Sequence, residues 1–309
     1  MTVLFTFPGQ GAQRPGMLRA LPAHPETART LDEAAAVLGH DPLALDTAQA
    51  LRSTVAVQLC LLIAGVATAR QLAALDARPS MVAGLSSGAW PAAVMAGVLD
   101  FADAVRLVAL RAQSMETAYP SGFGMTAVTG LTAAQLAPLV ARVHDAAHPV
   151  YLANLNGPRQ LVIAGADDAM AAVAALVHDG GTGAKAERLA VSVPSHCELF
   201  ARQADDLAAA IAKVPLQRPR ITYISSSAAR ALFDGAAIGA DLARNMARQV
   251  QWHDTVQHAW ERGARLAVEM PSGSVLTKLA QAVFAAGLAI SCDTARLDDI
   301  ARLAGRHDA

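Results

Sequence analysis

The chain has 309 residues and a net charge of -1, with 53% hydrophobic and 17% charged residues. This length suits one large domain, or a large and a small one, with enough apolar side chains for a substantial core. The near-zero charge argues against broad binding to nucleic acid or to an anionic membrane, so an anionic substrate would have to be met by a few placed cations.

Taken in chain order, Val3 to Phe7 is a short β-prone run ended by Pro8-Gly9, with no basic or long apolar leader around it. Helical patterns follow at Glu26–Leu38 and Val55–Leu75. The apolar part of the second, Val55 to Ala69, lies between Arg52 and Arg70. That is shorter than the roughly 20 residues that cross a bilayer and predicts a buried core helix. Met81–Ala83 reads as a strand, and a helix should begin near Ser87, irregularly because of Pro91. Phe101 to Ala118 reads as another helix.

The middle changes character. Met125–Val128 predicts a strand, and Thr132 to Gln135 a capping box opening a helix that stops before Pro149. Val150–Asn154 and Gln160–Ala164 predict two strands joined through Asn156-Gly157-Pro158. Asp167 is placed to cap a helix ending at Gly180-Gly181, and Glu187–Val193 predicts a last strand. The order β-α-β-β-α-β matches the ferredoxin-like unit. A small inserted ferredoxin-like α+β domain is therefore expected at 125–191, within a large α/β-hydrolase-like domain built from 1–124 and 192–309. Beyond it the expected elements are a helix at Cys197–Lys213, a strand at Ile221–Ser225, a helix near Thr255–Glu261, a strand at Leu266–Glu269 and a helix after Gly273. Such alternation implies a mostly parallel sheet. From Ala304 on the chain is expected to be loose. The cysteines Cys60, Cys197 and Cys292 lie far apart, without C-x-x-C spacing, which fits a reducing cytoplasm and no zinc site.

The stretch "GLSSGAW" (Gly84–Trp90) contains G-x-S-x-G between a predicted strand and a predicted helix. This context would set Ser86 on an exposed elbow, with helix N-terminal N–H groups facing an oxyanion. A serine nucleophile needs a base. His144 and His148 are spaced i, i+4 but lack further ligands, and read as a solvated helix end. His196, in "SVPSHC" past a predicted strand, is either a base or a structural histidine. The turn "FPGQGAQ" has G-x-G but no third glycine in place, so Gln10 belongs either to a plain glycine turn or to a crevice shared with Ser86. Arg111 shares one helix face with Ala104, Val108 and Met115. A guanidinium there either snorkels from the stripe's edge or clamps a carboxylate.

Together "FPGQGAQ", "GLSSG", "LVALRAQSM" and "VSVPSHC", in this order and with "ANLNGPRQLVIAG" and "QVQW", resemble the malonyl-CoA:acyl-carrier-protein transacylases over nearly the whole chain. The resemblance implies Ser86 as nucleophile and His196 as general base and acid. It implies backbone N–H groups of Gln10 and Ser87 at the oxyanion, and Arg111 on the malonyl carboxylate. It further implies that the Gln251 carbonyl orients His196, and that Asn154 and Asn156 stand at the mouth of the site. No permanently bound cofactor and no metal are implied. Malonyl-CoA is the donor, and the phosphopantetheine-type thiol of an acyl carrier protein is the acceptor. Leu85 and Ala89 replace the histidine and glutamate of a "GHSLGE"-like elbow, and "MPSGSVL" replaces "GPGKVL". The elbow and the following "PAAV" look more like the epsilon subunit of malonate decarboxylase, which would load that enzyme's carrier subunit, with its phosphoribosyl-dephospho-CoA group. The alternatives are a transacylase of fatty-acid or polyketide synthesis and, in another class, a serine hydrolase or thioesterase.

Overall fold

The computed structural model describes residues 2–305. Its elements are β1 (Val3–Phe7), α1 (Pro25–Leu38), α2 (Thr54–Ala74), β2 (Met81–Gly84), α3 (Ala89–Met95) and α4 (Phe101–Ala118). The middle of the chain forms β3 (Phe123–Thr129), α5 (Ala133–Val143), β4 (Val150–Gly157), β5 (Gln160–Ala166), α6 (Asp167–Asp179) and β6 (Lys185–Arg188). The remainder forms α7 (Ala201–Ile211), β7 (Thr222–Ser225), β8 (Arg230–Leu232), α8 (Gly235–Arg244), α9 (Trp252–Glu261), β9 (Leu266–Glu269), α10 (Val275–Gln281), β10 (Leu288–Ser291) and α11 (Leu297–Ala304).

Six strands form one sheet in the order β10-β9-β1-β2-β7-β8. All neighbours run parallel except β7 and β8. Every residue of β1 and β2 is buried, because helices cover both faces of this sheet. A second, antiparallel sheet has the order β4-β5-β3-β6, the ferredoxin-like arrangement, with its own core between the sheet and α5 and α6. The fold is thus an α/β domain with a parallel sheet, carrying a small α+β unit between α4 and α7.

The helix α2 has 21 residues, within one residue of the expected bounds at each end, and by length and composition is apolar enough to cross a membrane. It is nonetheless packed inside the protein, with 89% of its most apolar window buried. The capping box at Thr132 is present, with the Gln135 side chain accepting from the Thr132 N–H at 2.9 Å. Its helix ends at Val143, well before Pro149. His144 leaves helical geometry, and its ring Nδ1 lies 2.9 Å from the Val150 carbonyl. His144 and His148 therefore do not share a helix face.

The strand expected at Glu187–Val193 stops at Arg188. The Arg188 guanidinium donates to the carbonyls of Phe123, Met125, Leu189 and Val191, and pairs with Asp167 at 2.9 Å. That knot turns the chain out of the small sheet. It also occupies Asp167, which begins α6 without capping it. β8, α8, β10 and α11 were not anticipated: the strands are short, and the two glycines of α8 weaken its helical pattern. Ala304 is a buried helix end rather than loose chain, and the residues after 305 fall outside those described.

Candidate active site

The site lies at the carboxyl ends of β1 and β2, where open α/β sheets place their crevices. The Leu85 N–H donates to the Phe7 carbonyl at 3.0 Å, extending the β1–β2 pairing into the elbow. Ser86 follows at φ +55°, in the left-handed region that a non-glycine residue adopts only when its surroundings enforce it. Both flanking glycines are sterically required. A Cβ on Gly84 would stand 2.0 Å from the Gly88 carbonyl, and one on Gly88 would stand 2.0 Å from the Phe7 oxygen. After the elbow the chain makes one 3-10 turn, Ser86–Gly88, before α3 begins at Ala89. The irregular start expected near Pro91 takes this form, and Pro91 falls in the first turn of α3, where its missing N–H costs little. The "FPGQ" turn presses on the same elbow: a Cβ on Gly9 would meet the Leu85 oxygen at 2.6 Å and the Ser86 Cβ at 3.1 Å. Ser87 follows Ser86 in the same turn, and Gln10 follows Gly9 where the "FPGQ" turn meets the elbow.

His196 Nε2 lies 2.8 Å from Ser86 Oγ, across 110 residues of sequence. The histidine itself has φ +69°, and its N–H donates to the Met246 carbonyl at 2.7 Å. Its Nδ1 faces two carbonyl oxygens, those of Asn245 at 2.9 Å and Arg248 at 3.2 Å. Carbonyls only accept, so Nδ1 carries the proton and Nε2 is free to accept one from Ser86. The expectation that the Gln251 carbonyl orients this ring is corrected. That carbonyl accepts from the N–H and Oγ1 of Thr255, at 2.9 and 2.7 Å. Burial, reinforced by the positive charge of Arg111, pushes His196 down to about 4, so the ring is neutral and ready as a base.

Arg111 is fully buried on α4. Its Nη1 donates to Gln58 Oε1 on α2 at 2.5 Å, while its Nε and Nη2 have no partner among the described residues. Among the described residues no carboxylate pairs with it. Burial lowers its pKa to about 10, which still leaves it charged at neutral pH. A buried cation with two idle donors is a site shaped for an anion.

Asn154 is buried in β4, which is stapled to the loop carrying the His196 acceptors. The Leu155 N–H donates to the Val250 carbonyl at 2.8 Å, and the Val250 N–H to that of Ala153 at 2.9 Å. Neither Asn154 Oδ1 nor Asn156 Oδ1 has a partner among the described residues. A cleft of about 400 Å³, lined by Gln10, Gln13, Arg52 and Val191 among others, opens beside the "FPGQ" turn. Among the described residues no three His, Cys, Asp or Glu side chains gather as a metal site.

The structure thus brings Ser86, His196, Gln10, Ser87 and the strand carrying Asn154 into one region, with Arg111 close enough to bias His196. It leaves His144 and His148 in the small α+β unit. Sequence reasoning missed Gln58, although a glutamine in an otherwise apolar run was a legible signal. It also missed Asn245 and Arg248, which act through main-chain carbonyls and leave no side-chain signature.

Comparison with known proteins adds to this geometry. Residues 4–297 match the acyl transferase domain family. The chain is 38% identical over 285 residues to the malonyl CoA-acyl carrier protein transacylase of Escherichia coli strain K12, covering 90% of this chain and 92% of that protein. The crystal structure of an acyl-carrier-protein S-malonyltransferase from Burkholderia pseudomallei 1710b superposes with a TM-score of 0.91 at 35% identity, covering 98% of this chain and all of that one. A malonyl-transacylase solved in complex with its type II polyketide acyl-carrier protein also superposes with a TM-score of 0.91, at 34% identity and 98% coverage of this chain.

Proposed function

Since the chain belongs to the acyl transferase domain family and is an acyltransferase, we propose that it moves a malonyl group from malonyl-CoA to the thiol of an acyl carrier protein through an ester on Ser86. The observation that carries this reading is the buried, unneutralised Arg111 beside the Ser86–His196 pair. A plain acyl group leaves that cation unanswered, whereas a malonyl carboxylate supplies two acceptors for Nε and Nη2.

In the first step Ser86 Oγ attacks the thioester carbon and its proton passes to His196 Nε2. The oxyanion accepts from the backbone N–H groups of Gln10 and Ser87, and loss of one such donor typically costs about 10²–10³ in rate. The C–S bond breaks, and the CoA sulfur takes the proton from His196. In the second step the carrier thiol gives its proton to His196 and attacks the ester carbon. The C–O bond breaks, and Ser86 recovers the proton. Asn154 and Asn156 guide the arriving thiol arm at the mouth of the site. The scheme uses no bound cofactor, and ping-pong kinetics follow from it.

The transacylases compared above bear names tied to acyl carrier proteins, one of them a polyketide carrier. They support a carrier of fatty-acid or polyketide synthesis better than the malonate decarboxylase carrier subunit. Leu85 and Ala89 at the elbow are what favour the latter. The free thiols Cys60, Cys197 and Cys292 suit work in a reducing cytoplasm.

The test is intact mass after incubation with malonyl-CoA. Wild type should gain one malonyl group, Ser86→Ala none, and the adduct should discharge to a carrier thiol much faster than to water. Steady CoA release without a carrier would favour the hydrolase instead. Discharge compared between the two carrier types chooses the physiological partner.

A further inference from the structure

Gln58 is the one amide in a stretch of α2 that is otherwise apolar from Val55 to Ala67, and it is fully buried. Its Oε1 accepts from Arg111 Nη1 at 2.5 Å, and its Nε2 lies 3.8 Å from the Met115 sulfur, one turn along α4. Chemistry fixes this orientation. Turned over, the amide would set its N–H₂ against the guanidinium, donor against donor, and offer an oxygen to a thioether.

An arginine buried inside a protein is ordinarily held by a carboxylate, which fixes its geometry and cancels its charge. Here the holder is neutral. It satisfies one donor, leaves Nε and Nη2 without partners, and leaves the full positive charge in place. We propose that Gln58 is a specificity-determining positioning residue: it locks the Arg111 guanidinium by one edge without neutralising it, so that the acyl group's own carboxylate is the counter-ion that completes the site. The inference rests on reading Arg111 as the malonyl clamp. It adds that malonyl preference depends on an amide at position 58, because a carboxylate there would occupy the arginine from within the chain.

The test is Ser86 acylation by malonyl-CoA and by acetyl-CoA, followed by intact mass, in wild type, Gln58→Glu, Gln58→Met and Arg111→Met, with thermal unfolding of each. Gln58→Glu supplies an internal counter-ion, and Gln58→Met, close in length, removes the holder. Each should lower the malonyl-to-acetyl ratio of kcat/KM roughly tenfold or more, the value of a hydrogen bond to a buried charge. A ratio unchanged in both Gln58 variants but collapsed in Arg111→Met would overturn the role of Gln58 alone. A ratio unchanged in Arg111→Met as well would overturn the clamp with it. Equal losses with the two donors in both Gln58 variants would reduce Gln58 to a packing residue and also overturn the inference. Where Gln58→Glu does not fold, Gln58→Met decides.

Discussion

Acid should stop this enzyme much later than it stops one with an ordinary histidine base. His196 is pushed down to about 4, chiefly by burial and then by Arg111, whereas a free imidazole titrates near about 6.5. At a pH of about 5, a base of pKa about 4 is still roughly nine-tenths neutral, while one of about 6.5 is only roughly 3% neutral. The two cases differ about thirtyfold in active base at that pH. The quantity to measure is kcat/KM for malonyl-CoA, which reports the free enzyme, in short assays from about pH 8 downward. It should stay near its plateau at about pH 5 and fall steeply only near about 4. Arg111→Met removes the second cause of the shift, so the acid limb of its acetyl transfer should move to higher pH. Stability carries the same signature. The folded state keeps His196 neutral, so the unfolded chain gains its proton first as the pH falls. This contribution is complete above about 6.5 and is lost between about 6.5 and about 4, by up to roughly 3 kcal/mol. An acid limb centred near the free-imidazole value, in an enzyme still folded by circular dichroism, would refute the reasoning.

Three further outcomes are expected. Gly88→Ala should abolish acylation of Ser86 by intact mass and cost roughly 1–3 kcal/mol or more in denaturant unfolding, because its Cβ has no room beside the Phe7 oxygen. Asp241, buried on α8, accepts from Ser225 at 2.7 Å, Ser227 at 2.5 Å and Tyr223 at 3.2 Å, and burial raises its pKa. Asp241→Ala strands those hydroxyls and loosens the turn that leads to Asn245, so stability should drop by about 2–4 kcal/mol with a fall in kcat, and Asp241→Asn should restore most of both. Arg188→Met frees four carbonyls between Phe123 and Val191, and limited proteolysis should then cut between Leu189 and Ser195 faster than in wild type, with the acylation rate falling as the His196 loop loosens.

Much of this protein is determined by sequence periodicity and turn chemistry. β1, α2, α4 and β9 fall where apolar runs and breakers put them, since each is set by burial along its own length. The elbow is local in its residues, because Gly84 and Gly88 bracket Ser86 within five residues and the clash at Gly84 is with the elbow itself, whereas the need for glycine at 88 comes from the Phe7 oxygen of β1. Arg111 was visible as a charge on an apolar stripe. What tertiary structure decided is every relation between distant segments. Ser86 meets His196 across 110 residues, and no local pattern encodes a 2.8 Å contact of that range. The acceptors behind His196 are main-chain carbonyls of Asn245 and Arg248, which any side chain could carry, so the choice of them over Gln251 emerges only when α8 and its following turn are packed. The end of β6 at Arg188, not at Val193, follows from a guanidinium gathering carbonyls from two segments. Identity of residues supplied the chemistry, and long-range packing supplied the distances on which that chemistry depends.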